Sequence, residues 1–129
     1  MKSYEQIIKV KLDELDELNH VNNIHYVQWV NDVAKAHWLK LATQDILKNY
    51  FWVLIQHQIS YKSQAILNDN ILLKTFVKAT EGVTSTRVVE IYNNDTQKLL
   101  ATSETKWCFI DAKTKKPTRI SPEIINLFH

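Results

Sequence analysis

At 129 residues the chain has the length for one domain around one hydrophobic core and is too short for two. With 45% hydrophobic and 23% charged residues it is composed to fold, which excludes a disordered or fibrous chain. Its net charge is +2, with Lys and Arg scattered among Asp and Glu, so no basic patch marks nucleic acid as a partner. A single cysteine, Cys108, excludes an intrachain disulfide and a cysteine-based metal framework.

The opening residues Met1 to Gln6 carry no apolar signal segment, and no apolar run has the length to cross a bilayer. The expectation is a cytoplasmic protein with no membrane partner, one domain over residues 1–129, without repeats or linkers. Alternation of Ile8, Val10 and Leu12 with Lys9 and Lys11 predicts a strand from Gln6 to Leu12. Asp13 to Asn23 is dense in carboxylates and amides, fits neither period, and reads as a loop. From Ile24 the spacing of Val27, Val30, Ala34, Trp38 and Leu41, flanked by Tyr26, Val33 and His37, predicts a helix of about five turns capped by Asn22 or Asn23. Trp29 and Trp38 read as core.

Four further strands are predicted. The first places Phe51, Val53, Ile55, Ile59 and Tyr61 against Gln56, Gln58 and Ser60; the others cover Ile71 to Thr80, Thr84 to Tyr92 and Leu99 to Ile110, with turns at Gly82 and at Asn93-Asn94-Asp95. Cys108, between Trp107 and Phe109, reads as a small core residue. Pro122 opens a short terminal helix. This order is that of an α+β fold, with one long helix packed on one antiparallel sheet. Strands apolar on both faces, covered by one helix, do not close a core, so a homodimer or homotetramer is expected.

Glu14, Asp16, Glu17, Asn19, His20, Asn22 and Asn23 stand immediately before the long helix. A helix amino terminus presents unpaired N–H groups and partial positive charge, which polarise a carbonyl and stabilise the oxyanion formed when it is attacked. A neighbouring carboxylate activates water or attacks directly. Acyl transfer suits this combination. A solvated acidic loop, a loop histidine and an asparagine cap account for the same residues without chemistry. Five histidines without a ligand-like spacing argue against a metal.

The stretch Glu14-Leu15-Asp16-Glu17-Leu18-Asn19-His20-Val21-Asn22-Asn23-Ile24-His25-Tyr26-Val27-Gln28-Trp29 resembles the acidic-x-Asp-x-x-Gly-His-Val-Asn-Asn-x-x-Tyr-x-x-Trp signature of hot-dog-fold thioesterases. These include the 4-hydroxybenzoyl-CoA thioesterase-like enzymes and the plant acyl-carrier-protein (ACP) thioesterases. Downstream, Ile59-Ser60-Tyr61, Ala65 and Asn68-Asp69 resemble the strand and the Gly-Asp turn that follow the family's helix.

The resemblance implies a hot-dog fold, in which an antiparallel sheet of about five strands wraps one long helix and dimers share a continuous sheet. It implies hydrolysis of acyl thioesters, acyl-CoA ahead of acyl-ACP, without a cofactor. It marks Asp16 as the catalytic carboxylate with His20 as its partner, Glu14 as the rival carboxylate, and Asn23 at the oxyanion-binding helix end. Asn22, Tyr26, Tyr61 and Gln64 are then expected to contact substrate. Three positions depart from the family: Leu18 stands where plant-type members have an assisting Asn, Asn19 replaces the usual glycine, and Gln64 replaces a water-activating Glu. These departures motivate a second reading, a non-catalytic acyl-binding or assembly module on the same fold. A dehydratase or isomerase on this fold would need an Asp-x-x-x-x-His in a strand-to-helix context, and the sequence shows none. Lys62, Lys74, Lys78 and Arg87 read as solvated cations or as contacts to coenzyme A phosphates.

Overall fold

Asn22 starts the element that the rest of the chain surrounds. Its backbone is extended (φ −63°, ψ 136°) and its side chain accepts from the Ile24 N–H, which caps helix α1, Asn23–Leu41. No Gly or Pro interrupts the 19 residues of α1, and its buried face carries Tyr26, Trp29, Val30, Val33, Ala34, His37 and Trp38. The computed structural model describes residues 2–129. Strand β1 (Ser3–Lys9) and a 3-10 turn (Leu12–Glu14) precede α1; helix α2 (Gln44–Asn49), strands β2 (Tyr50–Tyr61), β3 (Asn70–Glu81), β4 (Thr84–Asn93) and β5 (Leu99–Asp111) and helix α3 (Pro122–Leu127) follow it. All pairings are antiparallel, in the order β1-β3-β4-β5-β2. This is the α+β arrangement expected, a five-stranded sheet with one long helix against it.

Three local readings are corrected. Strand β1 ends at Lys9, and Leu12 lies in the 3-10 turn, 72% exposed, rather than on the strand's apolar face. Helix α2 was not anticipated, because six residues are too few to display a helical period; its signal is Thr43, whose hydroxyl accepts from the Ile46 N–H, with Asp45 in the first turn. In β2 the register slips between Leu54 and Gln56, leaving Ile55 as an extra residue. The bulge interrupts the alternation: Trp52 and Leu54 before it and His57 and Ile59 after it are half-buried, while Val53, Ile55 and Tyr61 are exposed.

The buried apolar residues fall into two clusters. One gathers Tyr26, Trp29, Val30 and Val33 of α1 with Ile71, Leu73, Val89, Ile91 and Leu100 of the sheet. The other joins Trp38 to Ile46, Val77, Phe109, Ile120, Ile124 and Phe128. A band of buried polar side chains lies on the same inner face: His37, Thr75, Ser85, Arg87, Ser103 and Thr105. Thr75 donates to the Val88 carbonyl (2.9 Å), and Arg87 Nη1 donates to Thr75 Oγ1 (3.1 Å) and to His37 Nδ1 (2.8 Å). A guanidinium has no acceptor, so His37 Nδ1 is unprotonated and the neutral ring carries its proton on Nε2. Burial, reinforced by the charges of Arg87, Lys40 and Lys2, lowers His37 from 6.5 to about 4.

Tyr26 is 1% exposed, and its hydroxyl accepts from the Ala65 N–H at 3.0 Å. Ala65 is itself fully buried. Tyr26→Phe strands that N–H and is expected to cost about 1–3 kcal/mol, read as a lower urea midpoint at unchanged slope. The His37 site predicts a pH dependence. The unfolded chain takes up this proton near pH 6.5 and the folded protein only near 4, so stability is intact above that window and falls on acidification through it. The loss approaches about 3 kcal/mol, and thermal unfolding followed through the window should show it in the wild type and not in His37→Gln. Equal slopes in the two proteins would exclude His37 as its source.

Candidate active site

The loop before α1 is folded on itself by its own polar groups. Leu15 and Val21 pair as an isolated antiparallel bridge, the Asn22 N–H donates to the Glu14 carbonyl (2.9 Å), and the Asp16 N–H donates to the His20 carbonyl (2.8 Å). The tip turns at Asn19, whose φ of +63° lies in the left-handed region. Asn tolerates that region better than any side chain but glycine, which accounts for the exchange of the family's glycine here. The same holds at Asn68 (φ +69°), in the place of the family's second glycine. The segment after β2 holds the loop from the other side: the Val21 N–H donates to the Ala65 carbonyl (3.0 Å), and His20 forms a bridge with Ile66.

The two rival carboxylates have different surroundings. Both oxygens of Glu14 are occupied: Oε1 accepts from the Lys11 N–H (2.8 Å) and Oε2 from Trp29 Nε1 (3.2 Å), with His25 Nδ1 at 3.9 Å. Glu14 thus ties the 3-10 turn to the first turns of α1. Asp16 uses one oxygen, Oδ1, which accepts from the Leu18 N–H (2.9 Å) and the His20 N–H (3.1 Å). This is the local turn that Asp favours. Oδ2 has no hydrogen-bond partner among the described residues. Asp16 and His20 therefore meet through the main chain of His20; no bond joins the carboxylate to the imidazole.

Asn22 is the cap of α1, with its Oδ1 engaged by Ile24 (3.2 Å). Asn23, the first helical residue, is exposed, and its N–H has no acceptor among the described residues. Tyr26 is core, packed edge-on against Tyr61 at 5.5 Å and tilted against Trp29 at 5.0 Å. Tyr61 is 42% exposed. Gln64 is exposed and bonded to nothing among the described residues, one position before the Ala65 that holds both Val21 and Tyr26. The loop is edged by exposed apolar side chains, Leu18, Ile24, Ile66 and Leu67.

Two features escaped the sequence. Arg87, read as a surface cation, is 5% exposed, and burial lowers it to about 10, which leaves it charged at neutral pH. It lines a cavity of about 320 Å³ between α1, β2, β4 and β5, together with Asn31, Trp38, Trp52 and Trp107. The Ser103 hydroxyl lies 2.8 Å from His57 Nε2, a cross-strand contact that joins β5 to β2. A charged residue at an inward position of the β4 alternation, between Ser85 and Val89, was the available signal for Arg87.

The fold is that of several solved thioesterases. YbaW, a probable thioesterase from Escherichia coli, superposes with a TM-score of 0.83 at 23% identity, over 95% of this chain and 94% of that one. The DHNA-CoA thioesterase from Staphylococcus aureus gives 0.84 at 21% identity, over 99% and 89%. Slr0204, a 1,4-dihydroxy-2-naphthoyl-CoA thioesterase from Synechocystis, gives 0.84 at 15% identity, over 98% and 96%. No curated protein matches the sequence. The family model of the acyl-ACP thioesterase N-terminal domain matches residues 1–128. The chain therefore belongs to the acyl-ACP thioesterase family, hot-dog-fold proteins of thioester hydrolysis.

Proposed function

We propose that this protein hydrolyses acyl-CoA, and acyl-ACP less readily, with Asp16 as the catalytic carboxylate. The observation that carries the choice is the free Oδ2 of Asp16, on a carboxylate whose other oxygen is held by two amides, whereas both oxygens of Glu14 are engaged. Asp16 takes a proton from water as the water oxygen adds to the thioester carbonyl, or its oxygen adds directly and the resulting anhydride is opened by water. In either course negative charge develops on the carbonyl oxygen, and the unpaired Asn23 N–H at the positive end of α1 receives it. Collapse breaks the C–S bond, and the thiolate leaves with a proton. His20, whose ring makes no hydrogen bond among the described residues, is the group to supply that proton as an imidazolium, and it is reprotonated through solvent by the proton that Asp16 took from the attacking water. Asn22 holds the helix end, and Tyr61 and Gln64 line the approach, over the frame that Tyr26 supports.

A homodimer or homotetramer is part of this reading. Strand β2 is a sheet edge, paired on one side by β5, and it exposes Val53 and Ile55. Leu18, Ile24, Ile66 and Leu67 add apolar surface around the loop. A buried free Cys108 suits a reducing cytoplasm. The second reading, a module that binds acyl thioesters without cleaving them, rests on Leu18 and Gln64, neither of which can act as a base.

A free-thiol assay across short, long and aromatic acyl-CoAs tests both readings. Asp16→Asn is expected to lower kcat by about a hundredfold or more while the protein stays folded and oligomeric. Glu14→Gln should cost stability, about 1–3 kcal/mol for weakened hydrogen bonds to a charged group, with turnover largely kept. Wild-type turnover in Asp16→Asn together with loss in Glu14→Gln would transfer the role to Glu14. Acyl-CoA binding with no thiol released from any substrate would establish the binding module instead.

A further inference from the structure

Arg87 is a buried cation without an anion. Nη1 is the one guanidinium nitrogen with partners, His37 Nδ1 and Thr75 Oγ1, both neutral. Nε and Nη2 have no acceptor among the described residues. The ion pairs among those residues are His25 with Glu14 and Lys78 with Glu104, so no carboxylate lies within ion-pair distance of Arg87. Removing a lone charge from water costs several kcal/mol, which a counter-ion in the same low-dielectric site offsets.

The place left for that counter-ion is the cavity beside it. The space arises because α1 lies over β1, β3 and β4, leaving the β5–β2 side of the sheet uncovered at this level. Its walls are aromatic, with Trp38, Trp52 and Trp107 among them, and Phe128 beneath the guanidinium at 5.4 Å. Three polar residues besides Arg87 line it: the buried Ser85, Lys35 and Asn31. Lys35 adds a second positive charge at an exposed position, and Asn31 Oδ1 is a buried acceptor with no donor among the described residues. A cavity of about 150 Å³ holds benzene, so about 320 Å³ accommodates roughly a dozen heavy atoms.

We propose that this cavity is a binding site for an apolar carboxylic acid, whose carboxylate takes Nε and Nη2 of Arg87 as a two-pronged donor while its hydrocarbon body packs among the tryptophans. The planar fork of a guanidinium fits a carboxylate in this way. Apolar walls of this extent suit an alkyl or aryl acid and exclude a hydrated phosphate. Two sources supply such a carboxylate: a free acid, or a carboxyl at the far end of the acyl group of a bound thioester. Asn31 lies eight residues beyond Asn23, about 12 Å along the helix, a span that a medium-length acyl chain covers. Only the question of source rests on the hydrolytic reading; the binding does not.

Tryptophan emission reports the cavity directly. Decanoate titrated into the whole protein is expected to change it saturably, 1-decanol to bind at least about tenfold more weakly, and Arg87→Gln to lose that preference. Equal binding of decanoate and decanol by the wild type, no binding of decanoate, or undiminished decanoate affinity in Arg87→Gln would each overturn the proposal. Should Arg87→Gln fail to fold, the comparison of acid with alcohol on the wild type still decides. The source is then read from turnover. A carboxyl on the acyl group predicts a higher kcat/KM for the ω-carboxy analogue of decanoyl-CoA than for decanoyl-CoA, lost in Arg87→Gln. A free acid predicts no such preference, and turnover of decanoyl-CoA that responds to added decanoate only while Arg87 is present. Absence of all turnover would defeat the hydrolytic reading and leave the titration to judge this one.

Discussion

Five strands about 4.8 Å apart make a sheet about 19 Å wide, and a helix with its side chains is about 10 Å across. One helix cannot cover such a face, and the rest of the structure follows from how the deficit is met. Helix α1 lies toward β1, β3 and β4. At the carboxyl end of α1 the remainder is covered by α2, α3 and the aromatic residues Trp38, Trp52, Phe109 and Phe128, which pack ring against ring. Midway along α1 nothing covers it, and the cavity beside Arg87 remains. At the far edge the outer side of β2 stays unpaired, with its bulge at Ile55 and its exposed Val53.

The placement of α1 also organises the loop before it. Tyr26 and Trp29, one turn apart on its buried face, reach in two directions: Tyr26 to the main chain of Ala65, Trp29 to the carboxylate of Glu14. The loop between β1 and α1 is thereby clamped at both ends, and its tip is left to the bonds that Asp16 makes with its own turn. Glu14 and Asp16 are two residues apart, yet both oxygens of Glu14 are engaged in the frame while Asp16 retains one without a partner among the described residues. Hydrogen-bond environment, rather than residue type, separates the two carboxylates.

A polar band crosses the core beneath α1. Inward positions of β3, β4 and β5 carry Thr75, Ser85, Arg87, Ser103 and Thr105 in place of aliphatic residues. His37 is kept neutral there by burial and by neighbouring cations, so that it accepts a hydrogen bond from Arg87 instead of competing with it for an anion.

Much of this was legible in the chain. Hydrophobic spacing marks α1 and its buried face, the pair Asn22-Asn23 announces its cap, Gly82 with φ +62° and the Asn93 turn separate the strands, and the motif from Glu14 to Trp29 names the family and locates the loop. These are properties of contiguous residues, and local backbone preference and periodicity are written in contiguous residues. The six residues of α2 and the extra residue at Ile55 were lost because one spans fewer than two turns, too few to repeat a period, and the other breaks one. Only the tertiary structure decided which oxygens of Glu14 and Asp16 are occupied, that His20 meets Asp16 through its main chain, and that Arg87 is buried. The partners of Arg87 come from α1 and β3, 50 and 12 residues away, and its neighbours along β4 are those of an ordinary strand. A buried charge and a solvated one look alike until the chain has brought the other elements around them.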